Sequence, residues 1–139
     1  MATVTATAKF SAAHRLIGHG RCHNLHGHNY RVEVTLDGAI DKRGMVFDLD
    51  ELATILSKIV GNMDHAYLWS GDEGDKIYRI VEAEGLALFN LRAPTTAESI
   101  AQEICGQVYM ALARRFGTVP HNMVPRVTVW EIDDARASV

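Results

Sequence analysis

Hydrophobic and polar residues alternate with a period of two in two stretches near the start of the chain. Residues 3–14 alternate weakly, and residues 27–37 alternate clearly before the turn-forming pair Asp37-Gly38. Alternation of this kind is typical of β-strands that bury one face. We therefore predict two strands that pair as a hairpin, with residues 15–26 as a function-bearing loop between them.

A helical spacing of apolar residues replaces this alternation in the middle of the chain. Asp48 and Glu51 form a capping-box pattern, and the apolar residues that follow predict a helix over residues 49–62. Thr95 and Glu98 repeat the pattern before a second apolar stripe, which ends near Phe116-Gly117. Two long helices are therefore predicted.

The remaining segments complete an α+β arrangement. Residues 126–132 predict a strand and residues 136–139 a short last one, whereas residues 64–94 are less regular, with a possible helix at 75–84 and strand at 86–91. The order ββααβ(β) predicts an antiparallel sheet with two helices on one face. Because such a sheet has open edges, self-association is expected.

Composition narrows the classes of protein. The 139 residues suit a single domain, residues 1–139, and a net charge of −3 argues against a general nucleic-acid or membrane-surface binder. The chain shows no signal peptide and no apolar run of membrane-spanning length, and its two cysteines give no disulfide framework. We expect a cytoplasmic protein in which Cys105 is a small core residue.

Three histidines are the strongest candidates for chemistry. His14 closes the first predicted strand, and His26 and His28 share one face of the second. If the strands pair, the three imidazoles meet at one end of the sheet and suit Zn²⁺ with an open coordination position. Two alternatives stay open: a closed structural site with Cys22 as a fourth ligand, and a polar patch without metal.

Five separated segments of the chain form a recognisable series of motifs. They are Phe-Ser-Ala-Ala-His-Arg-Leu at 10–16, Cys-x3-His-Gly-His-Asn-Tyr at 22–30, Met63-Asp64-His65, Thr96-Ala97-Glu98 and Val129-Trp130-Glu131. In this order they resemble the motifs of the 6-pyruvoyltetrahydropterin synthase family, and the resemblance extends over nearly the whole chain. The spacing Cys-x3-His is most similar to the branch that forms 6-carboxytetrahydropterin.

This resemblance implies a fold and a reaction. The fold is the tunnelling fold (T-fold), in which ββααββ subunits form an oligomeric barrel, commonly as a trimer or a hexamer. The reaction is a zinc-dependent lyase reaction on 7,8-dihydroneopterin triphosphate, which gives 6-carboxytetrahydropterin, triphosphate and acetaldehyde in a deazapurine pathway such as that of queuosine.

The resemblance also implies roles for individual residues. By motif position, His14, His26 and His28 match the zinc ligands, Cys22 matches the catalytic base, and Asp64 with His65 matches the pair that assists proton transfer. Glu131 matches the carboxylate that anchors the pterin, with Thr96 and Glu98 lining the same pocket. For Glu98 a helix-capping role remains an equal alternative, because Thr95-x-x-Glu98 is also a capping pattern.

Some features depart from the family pattern, and other functions remain possible. Trp69 stands where asparagine is expected, and residues 70–93 form a longer connection than in the smallest members. His19, His23 and His121 match no motif, so we expect ordinary loop residues there. The alternatives are a synthase of 6-pyruvoyltetrahydropterin, dihydroneopterin side-chain cleavage for folate, a non-catalytic pterin-binding oligomer, and a zinc hydrolase that would not need Cys22.

Overall fold

Six strands form a single mixed sheet, which is joined by three α-helices. The computed structural model describes residues 1–132 and 135–139, apart from the side chain of Ile132. The strands are β1 Ala2–His14, β2 His26–Gly38, β3 Ala66–Trp69, β4 Leu88–Asn90, β5 Pro125–Ile132 and β6 Ala135–Ser138, and the helices are α1 Leu49–Gly61, α2 Lys76–Ala83 and α3 Ala97–Phe116. The strand order is β4-β3-β1-β2-β5-β6.

The predicted hairpin of β1 and β2 is confirmed and forms the centre of the sheet. The two strands are antiparallel along their full length, from Ala2 opposite Gly38 to His14 opposite His26. Their even-numbered residues point toward the core, where Phe10 stacks on Tyr30 with ring centroids 4.8 Å apart. Helices α1 and α3 contact each other and pack over β1 and β5 respectively. The alternation that predicts the strands thus also decides which face is buried.

Both long helices are confirmed, with a shift at the start of the second. Asp48 caps α1 by accepting a hydrogen bond from the Glu51 backbone N–H at 3.0 Å. The cap of α3 is Thr96, which accepts from the Ser99 backbone N–H at 3.2 Å, so the predicted cap at Thr95 is wrong by one residue. The Thr95 hydroxyl instead donates to the Arg15 carbonyl at 3.1 Å, which removes it from capping.

The segment between the long helices corrects the prediction of a purely antiparallel sheet with two helices. Strand β3 pairs with β1 and β4 pairs with β3, both in parallel, and α2 connects them. The expected short helix and short strand are both present in this segment. Strand β3 escaped prediction because its four residues, Ala-Tyr-Leu-Trp, are all apolar or aromatic and do not alternate.

No helix in the part of the chain that the structure describes combines the length and the apolar character needed to cross a membrane.

Candidate active site

The three predicted histidines meet at one end of the central hairpin. Antiparallel register places His14 opposite His26 and Ala12 opposite His28, so all three imidazoles extend from the face that packs on the helices. Ring centroids lie 4.6 to 5.2 Å apart, and the candidate ligand atoms all lie within 4.8 Å of one another. This separation suits three ligands of one metal ion.

Backbone carbonyls orient two of these rings. Nδ1 of His14 lies 2.8 Å from the Thr95 carbonyl oxygen, and Nδ1 of His26 lies 2.6 Å from that of Asn24. Since a carbonyl oxygen only accepts, each Nδ1 carries the proton and each Nε2 keeps a free lone pair. Both Nε2 atoms are buried and have no hydrogen-bond partner among the described residues.

The electrostatics of the cluster also favour neutral ligands. Burial lowers the pKa of His14 to about 4, assisted by the nearby His26 and His28, although the Thr95 carbonyl opposes the shift. Burial likewise lowers the pKa of His28, against the attraction of the Glu131 carboxylate. The buried, unpartnered Nε2 atoms of His14 and His26 suit a zinc ion, so the cluster could hold a metal.

A cavity of about 540 Å³ has Glu131 in its lining, and this carboxylate lies against two of the histidines. Its lining includes Thr96, Glu98 and Glu131, the three residues expected at a substrate pocket. Glu131 Oε1 lies 3.4 Å from His14 Nε2 and 3.5 Å from His28 Nε2, so a molecule held by this carboxylate would lie against the metal position. Ser99 and Thr96 close the first turn of α3, which leaves Glu98 at the cavity wall rather than at the cap.

Sequence reasoning missed several residues of this site. His19, expected to be an ordinary loop residue, lines the cavity together with Asp72 and Arg136. These residues come from a loop, a 3-10 turn and the last strand, and none has a motif partner that could have revealed it. The Thr95 carbonyl was missed because any residue type carries such an acceptor.

Cys22 lies in a single 3-10 turn, Gly20–His23, within the predicted loop. Cys22 is partly buried. Two backbone hydrogen bonds fix its position: Leu16 N–H donates to the Cys22 carbonyl at 2.7 Å, and Cys22 N–H donates to the His19 carbonyl at 3.0 Å. Among the residues described, the group that could hold a metal ion consists of the three histidines without Cys22. The geometry therefore favours the open site over the closed one.

Asp64 and His65 contact each other as predicted, but away from the cavity that Glu131 lines. Asp64 accepts from the Ser11 backbone N–H at 2.9 Å, which keeps its pKa below the usual range, and its second oxygen lies 3.0 Å from His65 Nδ1. His65 has a left-handed φ of 58° and an 82% exposed side chain. It lines a second cavity together with Ser11, His28 and Asn29 of the central hairpin.

Comparison with known proteins identifies the family. The sequence model of the 6-pyruvoyl tetrahydropterin synthase family matches residues 3–139. The chain belongs to this family.

Several relatives of this chain carry the name 6-carboxy-5,6,7,8-tetrahydropterin synthase. The 6-carboxy-5,6,7,8-tetrahydropterin synthase of Haemophilus influenzae is 34% identical over 112 residues, covering 75% of this chain and 79% of that protein. Its counterpart in Rickettsia typhi is 33% identical over 115 residues, covering 81% and 83%. A putative counterpart in Archaeoglobus fulgidus is 42% identical over 62 residues, which span 45% of this chain and 54% of the relative.

Solved structures agree on the fold. The 6-pyruvoyltetrahydropterin synthase of Plasmodium vivax, solved as a mutant of a catalytic residue, superposes with a TM-score of 0.79 at 22% identity, covering 99% of this chain and 96% of that one. The Caenorhabditis elegans enzyme gives 0.71 at 24% identity, covering 99% and 94%. The expected α+β T-fold is thereby confirmed, and family membership implies a lyase that acts on pterins.

Proposed function

We propose that this protein converts 7,8-dihydroneopterin triphosphate into 6-carboxy-5,6,7,8-tetrahydropterin, with release of triphosphate and acetaldehyde, in a queuosine-type deazapurine pathway. The observation that carries the proposal is the convergence of three imidazoles beside the Glu131 carboxylate, which itself lines a cavity with Thr96 and Glu98. The curated relatives that cover most of the chain and carry the 6-carboxy name support the product.

We assign the metal site to zinc, held by His14, His26 and His28. A bound zinc ion supplies Lewis-acid chemistry, which makes a hydrogen on a neighbouring carbon of the substrate easier to remove. The carbonyls of Thr95 and Asn24 hold the first two rings in the tautomer that presents Nε2. These backbone bonds keep the ligands in place before the metal arrives.

Glu131 is the proposed anchor of the pterin ring. An ionised carboxylate accepts two hydrogen bonds from the amino group and the adjacent ring N–H of a pterin, and such charge-assisted pairs fix the register of a ligand. Glu131 Oε1 lies within 3.5 Å of two ligand nitrogens, so the reacting side chain of a ring held there starts close to the metal. Thr96 and Glu98 complete the wall of this cavity.

Proton transfer is assigned to Cys22 with Asp64 and His65. A thiolate at Cys22 is the proposed base, and the Asp64 carboxylate fixes the His65 ring so that it can pass on a proton. Within one chain, however, His65 is 82% exposed and lines a different cavity from that of Glu131, Thr96 and Glu98. We therefore propose that each active site combines the metal cluster of one subunit with the Asp64-His65 pair of another, in a trimer or hexamer.

Product analysis tests the proposed reaction directly. Zinc-loaded protein is incubated anaerobically with 7,8-dihydroneopterin triphosphate, and mass spectrometry is expected to show 6-carboxytetrahydropterin together with acetaldehyde. Chelator-stripped protein should be inactive and should recover on addition of zinc. A pyruvoyl product would move the protein to the other branch of the family, and absence of turnover by zinc-loaded protein would refute the reaction.

Mixed oligomers test whether the site is shared between subunits. Chains carrying His28→Ala and chains carrying His65→Ala are each expected to be inactive alone. After co-refolding, activity should return, because some sites then combine an intact metal cluster with an intact Asp64-His65 pair. Two variants that lack the same half, His28→Ala and His26→Ala, form the matched control and should not recover. Failure of the first mixture to regain activity, although it co-assembles, would contradict the shared site.

A further inference from the structure

A buried carboxylate in the long connection after β3 plays no part in the chemistry proposed above. Glu73 ends the 3-10 turn Gly71–Glu73, and its side chain is only 4% exposed. Burial raises its pKa, although a hydrogen bond from Tyr67 and the charge of Arg15 oppose the shift. Because burial of a carboxylate is costly without partners, the contacts of Glu73 must offset this cost.

The contacts of Glu73 connect it to Tyr67 of β3 and to Arg15, which follows His14 in the chain. The Tyr67 hydroxyl lies 2.9 and 2.8 Å from the two carboxylate oxygens and donates to them. On the other side, Arg15 Nε lies 3.9 Å from Glu73 Oε2, and the Arg15 side chain is 19% exposed. Tyr67 is the β3 residue paired with Ala13 of β1, so the carboxylate is fixed to the sheet next to the end of β1.

Arg15 connects this carboxylate to the two segments that carry the site. It directly follows His14 in the chain, and its Nε donates to the His23 carbonyl at 3.1 Å. Its terminal nitrogen lies 3.0 Å from Nε2 of the His23 ring, one residue beyond Cys22. The guanidinium therefore bridges the metal-ligand end of β1 and the turn that holds the thiol.

Hydrogen bonds also join the backbone of Arg15 and Leu16 to Thr95 and to Cys22. Thr95 donates its hydroxyl to the Arg15 carbonyl at 3.1 Å while its own carbonyl orients the His14 ring. Leu16 N–H donates to the Cys22 carbonyl at 2.7 Å. A movement of the Arg15 side chain would therefore displace the 3-10 turn that contains Cys22. It would leave His14 in place, because the Thr95 carbonyl holds that ring independently.

We propose that Glu73 is a positioning residue that, through Arg15, holds the Cys22 turn at a fixed position relative to the metal cluster. Its effect on turnover rests on the proposed function, but its effect on the turn does not. This assigns a role to the long connection over residues 70–93, which supplies the carboxylate. Glu73 acts on the thiol and not on the metal ligands.

The test compares Glu73→Gln with Glu82→Gln. Glu82 is a glutamate of α2 in the same connection, and it accepts a solvent-exposed hydrogen bond from Tyr78. Iodoacetamide labelling of Cys22, mapped by peptide mass, should be about fivefold faster in Glu73→Gln because the turn opens more often. Cys105, packed against the core, is the internal control and should keep its rate. Turnover should fall about tenfold at unchanged KM and unchanged zinc content, as expected for a misplaced base.

The two measurements separate this inference from the proposed function. Faster labelling of Cys22 in Glu73→Gln alone supports the positioning role, even if no variant turns over the pterin. An unchanged labelling rate overturns it, whatever the kinetics show. A loss of thermal stability with wild-type labelling and wild-type kcat would also overturn it, because Glu73 would then stabilise the fold only. Glu73→Asp, which keeps the charge, should restore part of both the labelling protection and kcat.

Discussion

Replacement of His28 by alanine is expected to abolish zinc binding and to lower turnover at least about 10³-fold, since a catalytic metal contributes several kcal/mol of charge stabilisation. His28 is the suitable ligand to change because its side chain is 20% exposed, whereas His14 is fully buried. Two remaining imidazoles cannot retain the ion at ordinary concentrations. Metal analysis of the purified protein gives the zinc content per chain, and the pterin assay gives the turnover.

His121→Ala is the matched control, because this histidine lies exposed in a turn and is absent from the metal cluster. It should keep full zinc content and full turnover. Zinc should also raise the melting temperature of the wild type and of His121→Ala but not of His28→Ala, because only a folded site binds the ion. Normal zinc content in His28→Ala would contradict the assignment of the three-histidine site.

The metal cluster could be predicted because it depends on two simple regularities. Period-two alternation places His26 and His28 on one face, and antiparallel pairing of the two longest strands brings His14 opposite His26. The Tyr30 ring below them is 1% exposed, as its place in the same alternation implies. Local patterns are reliable here because the strands are long and one face is wholly buried.

The position of Asp64 and His65 could not be predicted from the same patterns. It depends on a residue with a left-handed backbone, His65, and on the short parallel pairing of Ala12 with Ala66. A left-handed residue and a strand of only four residues are too short to appear as a periodic pattern in the sequence. Glu73 was overlooked for a related reason. The acidic stretch 71–75 has the composition of a solvated loop, and the hydrogen-bond partner of Glu73, Tyr67, lies on the unpredicted strand.

Hydrogen bonds made by backbone groups were equally difficult to predict from the sequence. Thr95 matters to the site through its carbonyl, and a capping pattern in the sequence suggested a different role for its side chain. The true cap, Thr96, differs by one position and leaves Glu98 free to line the cavity. Sequence patterns therefore place helix ends to within a residue or two: the cap of α1 at Asp48 was predicted correctly, whereas that of α3 was placed one residue early.

Replacement of Cys22 by alanine separates a lyase from a hydrolase on the same metal cluster. A general base contributes about 10²-fold to 10⁴-fold, so turnover should fall by that factor while zinc content stays at the wild-type level. Zinc should remain because the candidate ligands among the described residues are the three histidines alone. The measurements are single-turnover formation of 6-carboxytetrahydropterin and metal analysis of the same sample.

Cys105→Ala controls for the loss of a thiol elsewhere in the chain. Cys105 lies on α3, where its thiol donates weakly to the Pro125 carbonyl at 3.6 Å, and burial raises its pKa, so it is a packing residue rather than a base. Its variant should lose a little stability and keep its turnover. Full activity of Cys22→Ala would contradict the proton-abstraction role and would favour a hydrolase, for which the thiol is unnecessary. Loss of zinc together with activity would instead make Cys22 a ligand and restore the closed site.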